Sequence, residues 1–182
     1  EKVPAVRSQV DMAILDIISK SVNLPLYQFL GARKNSIPTS MTLGISDMET
    51  TMRSAKKHIE AGFFILKIKG GLDIREDIAR LKRLRALFPK VKLIFDGNQG
   101  YTYDEAYTFI DELKHSNIEL LEQPIKEDEH ENLKALTSHN MVPIMADESL
   151  KSLDDAFKFA ANGVVDVFNI KKMKVGGIME AT

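Results

Sequence analysis

Six residues of chemical interest recur along this sequence at nearly constant spacing: Thr42, Lys69, Asp96, Glu122, Asp147 and Lys171, separated by 27, 27, 26, 25 and 24 residues. Three of them are carboxylates in consecutive positions of the series. Gathered in one place, Asp96, Glu122 and Asp147 would need a cation. Hard oxygen donors without cysteine or histidine select Mg²⁺ or Mn²⁺ over zinc or copper. The competing reading is that each acid caps the following helix or meets a lysine.

The lysines are the second feature. In "ILKIKGG", Lys67 and Lys69 interrupt a run that otherwise reads as a buried strand. Side chains on a strand alternate between faces, so Lys67 and Lys69 point the same way, as do Asp96 and Asn98. Burial, a neighbouring cation and a like charge all disfavour an ammonium, and so tune a lysine toward use as a base. The alternative is a buried network in which the lysines simply pair with the acids.

These residues need a scaffold that repeats with the same period. Short β-branched or apolar runs at 37–45, 64–70, 92–98, 118–125, 143–149 and 166–174 read as strands. Amphipathic helices lie between them, such as the one with its apolar stripe at Ile74, Ile78, Leu81, Leu84 and Phe88. Such alternation predicts a parallel sheet of right-handed βαβ units. An open doubly wound sheet gathers ligand groups at one strand-order reversal, whereas a TIM-type (β/α) barrel feeds one mouth from the end of every strand. Polar residues at nearly every strand end favour the barrel. A complete barrel takes about 250 residues, so six of the eight units are expected here and the last two outside this chain. In that barrel Lys69 and Lys171, four strands apart, would face each other across the mouth. Before the barrel comes a helical preface with apolar positions at Val6, Val10, Ile14, Ile17 and Ile18.

Composition narrows the partners. The 182 residues are 44% hydrophobic, and 25 basic residues balance 26 acidic ones for a net charge of −1. No basic run could follow a phosphate backbone, so nucleic acid is not an expected partner. No apolar run approaches the roughly 20 residues of a membrane span, so a membrane is not one either. The chain has no cysteine, which excludes disulfides and fits a cytoplasmic protein.

The motifs "KIKG", "DGN", "LEQP", "ADES" and "NIKKMKVGG", in that order and spacing, resemble the enolase superfamily and specifically its muconate-lactonizing subgroup. The resemblance runs from about Arg7 to the end of the chain. It implies residues 1–35 as the closing helices of a capping domain and 36–182 as a partial (β/α) barrel. Sites of that superfamily pair a Lys or His base with Mg²⁺. Carried onto this sequence, the resemblance implies Asp96, Glu122 and Asp147 as metal ligands, Lys69 as the base on one face and Lys171 as the acid/base on the other. Lys67 would hold the substrate carboxylate. Asn98 and Glu148 would orient the ligands, although Glu148 is equally well placed to cap a helix. Lys172 has the parity of a residue turned toward the outer helices, and Lys174 is ambiguous. The Gly-Gly pairs at 70–71 and 176–177 lack P-loop spacing and read as strand-to-helix turns.

The implied chemistry is removal and return of the proton alpha to a carboxylate through an enediolate. Within the subgroup, "TSMTLGI" resembles the dipeptide epimerases, which implies substrate contact at Thr42 and a dipeptide such as L-Ala-L-Glu. The alternative reading of Thr42 is a plain strand former. Other activities of the subgroup are o-succinylbenzoate synthesis, N-acylamino acid racemisation and muconate cycloisomerisation. A homo-oligomer is expected. The non-enzymatic alternative is an inactive barrel fragment serving as a scaffold.

Overall fold

A computed structural model describes residues 3–32, 34 and 36–182. The chain divides into two compact units. One gathers the N-terminal segment up to Pro38 with Leu150–Lys158 and Asn169–Thr182; the other holds Thr39–Ser149 and Phe159–Phe168.

The larger unit carries six parallel strands: β1 (Met41–Leu43), β2 (Ile65–Lys69), β3 (Lys92–Asp96), β4 (Ile118–Glu122), β5 (Ile144–Ala146) and β6 (Val167–Phe168). They lie side by side in chain order with no reversal, which excludes the doubly wound alternative. These are six βα units of a TIM-type (β/α) barrel. Helices α3 (Met48–Glu60), α4 (Ile74–Leu87), α5 (Tyr103–Leu113) and α6 (His130–Ser138) connect the first five strands.

Local chemistry sets the helix starts. Asp47 accepts from the Thr50 amide at 2.8 Å ahead of α3, and Asp73 from the Arg75 and Glu76 amides at 2.8 and 3.1 Å ahead of α4. Thr102 and Glu105 form a reciprocal capping box at α5. Alternation then divides each strand. Leu66 and Ile68 of β2, Leu93 and Phe95 of β3 and Leu121 of β4 are fully buried, as are Leu81, Leu84, Ala106 and Leu133 on the helices. The core thus lies between sheet and helices and leaves Lys67, Lys69 and Asp96 on the other strand face.

Several strands are shorter than their apolar runs. Prolines without an amide donor bracket the ladder: Pro38 precedes β1, Pro124 follows β4 and Pro143 precedes β5. The largest departure is at 166–174. Only Val167–Phe168 is strand, and Lys172–Val175 is a short helix, here α8. Strand parity therefore does not govern Lys172, the first residue of that helix. Gly176 and Gly177, at φ 103° and 136°, close α8 by donating both amides to the Lys172 carbonyl. Only glycine takes that backbone without strain.

In the smaller unit, α1 (Pro4–Ser21) and α2 (Leu26–Phe29) precede the barrel, and α8 packs on α1. Arg7 pairs with Glu180, and Asp11 accepts from the Ile178 amide at 2.6 Å. The apolar stripe of α1 is not its buried face: Val6, Val10, Ile14 and Ile17 are 51–67% exposed, while Ser8, Leu15 and Ser19 are buried. The α7 helix spans Leu153–Asn162. No helix among the described residues is long and apolar enough to cross a membrane.

Candidate active site

The site is built from pairing register. Lys69 stands beside Asp96, and Asp96 beside Glu122. In a parallel sheet, paired residues project from the same face, so lysine, aspartate and glutamate form one row across β2, β3 and β4. Thr42 pairs with Lys67 and joins the row behind it. One irregularity makes this possible. Leu93 pairs with Ile118 but Ile94 with Leu120, so β4 spends an extra residue at Glu119. Without that bulge Asp96 would lie beside Leu121 and Glu122 would turn away.

Asp96 and Glu122 are 0% exposed. Lys67 Nζ bridges them, 2.8 Å from Asp96 Oδ2 and 2.5 Å from Glu122 Oε2. Lys69 Nζ donates to the same Asp96 oxygen at 2.6 Å and to Asn98 Oδ1 at 3.0 Å, and the Asn98 amide donates to Asp96 Oδ1 at 3.0 Å. Burial opposes the charge on Lys67, but hydrogen bonds and attraction from Asp96 and Glu122 outweigh it and hold the ammonium above its ordinary pKa. Burial likewise opposes ionisation of Asp96, and the two lysines outweigh it, so its carboxyl titrates below the ordinary range.

The strand ends are tied together beyond the regular ladder. The Gly70 amide donates to the Asp96 carbonyl, Gly97 to Glu122 and Gln123 to Met145. Asp147 lies just past β5 and is 0% exposed. Its amide donates to Gln123 Oε1 at 2.9 Å, which also takes the Ser149 amide at 3.1 Å. Gln123 Nε2 donates to the Ile125 carbonyl and to Ser149 Oγ. Both polar atoms of this buried amide are thus engaged, and its oxygen holds the turn that carries Asp147. Nothing in the spacing of acids and lysines pointed to Gln123; its place between a strand-end glutamate and a proline was the available signal.

Glu148 follows Asp147, and its Oε2 is buried without a hydrogen-bond partner among the described residues. Lys171 belongs to the smaller unit, in extended backbone at φ −108° and ψ 116°, immediately before α8. The structure therefore brings Lys67, Lys69, Asp96, Asn98 and Glu122 into direct contact, with Thr42 in register with Lys67 and Asp147 tied in through Gln123.

Buried all-oxygen donors on adjacent strands suit a hard divalent cation in donor chemistry. As they stand, no three His, Cys, Asp or Glu side chains among the described residues are grouped as a cation site. The positive charge that meets Asp96 and Glu122 is that of the lysines.

A family model described as enolase C-terminal domain-like matches residues 50–182. The chain belongs to that family. It is 43% identical over 179 residues to a hydrophobic dipeptide epimerase from Enterococcus faecalis, covering 98% of this chain and 51% of that protein. Its fold superposes with a TM-score of 0.95 on a crystal structure of dipeptide epimerase from E. faecalis complexed with Mg and the dipeptide L-Leu-L-Tyr, at 42% identity over 99% of this chain and 51% of that one. A substrate-liganded L-Ala-D/L-Glu epimerase from Bacillus subtilis gives a TM-score of 0.92 at 38% identity, over 96% of this chain and 50% of that one. The chain of this enolase-like family member spans about half the length of the curated relatives it matches.

Proposed function

We propose that this chain supplies the proton-transfer centre of a dipeptide epimerase that uses Mg²⁺, with Mn²⁺ as a substitute. The observation that carries the reading is the in-register row of Lys69, Asp96 and Glu122, bridged by Lys67. It occurs in a chain similar over 98% of its length to a dipeptide epimerase. On this reading residues 1–35 are the closing helices of a capping domain and 36–182 the barrel. The whole protein is a cytoplasmic homo-oligomer that binds neither nucleic acid nor membrane.

Asp96, Glu122 and Asp147 would hold the cation, oriented by Asn98 and Glu148. Bound there, it would offset the charge that builds on a substrate carboxylate when the adjacent carbon loses its proton. Lys67, whose ammonium its two acid neighbours keep charged, would face that carboxylate as well. Thr42, across the β1–β2 pairing from Lys67, contacts the dipeptide. Lys69 would take the α-proton on one side, and Lys171 would return one on the other, inverting the stereocentre.

The test is proton exchange. Full-length protein is incubated in D₂O with Mg²⁺ and either L-Ala-L-Glu or L-Leu-L-Tyr, and the α-protons are followed by NMR. The expected result is loss of one α-proton signal and growth of a second diastereomer. Absence of both deuterium uptake and a new diastereomer, with both dipeptides, would overturn the proposal.

A further inference from the structure

Behind the row of lysines and acids lies a second buried charged cluster. Asp77 and Arg80 on α4 are 1% and 3% exposed. They form an ion pair with each other, and Arg80 Nη2 also reaches the Lys69 carbonyl at 3.4 Å. Asp77 Oδ2 accepts from the Gly71 amide at 2.8 Å and from the Tyr101 hydroxyl at 2.5 Å. Arg80 Nε and Nη1 are buried with no partner among the described residues.

This is a costly way to fill a core, since a buried ion pair stabilises little over well-packed apolar residues, and unpartnered N–H groups add a penalty. What the cluster does supply is geometry. Its attachment points are Lys69, Gly71 and Tyr101, at the exits of β2 and β3. There the two turns are in contact. A Cβ on Gly71 would stand 2.0 Å from the Gly97 carbonyl oxygen, and one on Gly100 would stand 2.0 Å from the Gly71 oxygen. Tyr101 also stacks on Phe95, the β3 residue just before Asp96.

We infer that Asp77, Arg80 and Tyr101 are positioning residues that fix the Lys69 backbone against the β3 exit, and so aim the Lys69 amine. The inference rests on the proposal that Lys69 is the base for one hand of the substrate and Lys171 for the other. A displacement of about 1 Å of a reacting group costs on the order of 100-fold in rate. Loss of the clamp therefore acts on one hand of the reaction. A purely stabilising role would act on both equally, through the amount of folded protein.

The experiment uses full-length protein with Mg²⁺ and measures initial deuterium exchange separately for the two epimers of one dipeptide. Tyr101→Phe keeps the stacked ring and removes only the hydroxyl; Asp77→Asn weakens all three attachments. For the epimer whose α-hydrogen faces Lys69, exchange should fall about 10- to 100-fold. For the other epimer the rate, and for both the KM, should stay within about threefold. The Gly71 amide should also lose protection from hydrogen exchange while the circular dichroism is unchanged. Equal slowing of both hands, no slowing, or unaltered Gly71 protection would each overturn the inference. Wild-type protein that exchanges neither epimer would overturn the Lys69 assignment itself, a failure recognised before any substitution is made.

Discussion

Replacing Lys67 with methionine keeps the stem of the side chain and removes an ammonium that bridges Asp96 and Glu122. Asp96 retains Lys69 at 2.6 Å and the Asn98 amide at 3.0 Å. Glu122 loses an ammonium 2.5 Å from its Oε2, at a side chain that is 1% exposed. Removing one partner of a buried pair costs about 3–5 kcal/mol. The partners retained by Asp96 and the 18% exposure of the Lys67 side chain point to the lower end, so Lys67→Met should destabilise by about 3 kcal/mol. With a urea m-value of about 2 kcal/mol/M, the midpoint falls by roughly 1.5 M. The assay is equilibrium urea unfolding of full-length protein in EDTA, followed by circular dichroism. The loss should shrink on acidification toward about pH 5, because a buried glutamate that has lost the Lys67 ammonium sheds part of the penalty by protonating. Adding Glu122→Gln to Lys67→Met should recover stability, giving a coupling energy of about 2 kcal/mol in the double-mutant cycle. A midpoint shift below about 0.3 M, or strict additivity in the cycle, would refute the idea that Lys67 compensates these carboxylates.

Three further outcomes are expected. Gly71→Ala meets both a backbone φ of 95° and the Gly97 carbonyl 2.0 Å from the new Cβ, so it should cost more than about 2 kcal/mol in the same unfolding assay. Gln123→Leu removes the amide that holds the Asp147 and Ser149 backbone and should cost about 3 kcal/mol, with a weaker apparent affinity for Mg²⁺ in calorimetric titration. Burial, and then the hydrogen bond to Asp77, raise the Tyr101 phenol far above its ordinary range. Its contribution to stability is complete below the unfolded tyrosine pKa of about 10 and is lost above it, at about 1.4 kcal/mol per pH unit. In Tyr101→Phe this alkaline slope should be correspondingly shallower, as read from unfolding free energies between about pH 10 and 11.

Much of the scaffold is legible in the sequence because it depends on local chemistry and periodicity. Asp47, Asp73 and Thr102 announce helix starts by capping. Alternation in "ILKIKGG" already puts Lys67 and Lys69 on one strand face. The regular return of a polar residue every 24 to 27 positions requires a repeating βα unit. The α4 stripe was only half readable, since Leu81 and Leu84 are buried as periodicity requires. The same face also takes in Asp77 and Arg80, which no hydrophobic pattern would place inside. The strand run at 166–174 misled because apolar residues are interspersed with polar ones there as they are in many strands. The glycines at 176–177 instead close a helical turn.

What the sequence settles by itself is which residue types arrive at the strand ends, and in what order, because that follows from spacing along the chain. It does not settle which of them touch. The bulge at Glu119 brings Glu122 beside Asp96, and it exists only because two strands pair. The bridging of both acids by Lys67 and the hold of Gln123 on the Asp147 turn join residues 24 to 55 positions apart, and the Asp77–Arg80 cluster under Lys69 sets charged residues on the apolar face of a helix. Such contacts are selected by the shared demand that buried charges and amides find partners, and tertiary packing alone meets that demand.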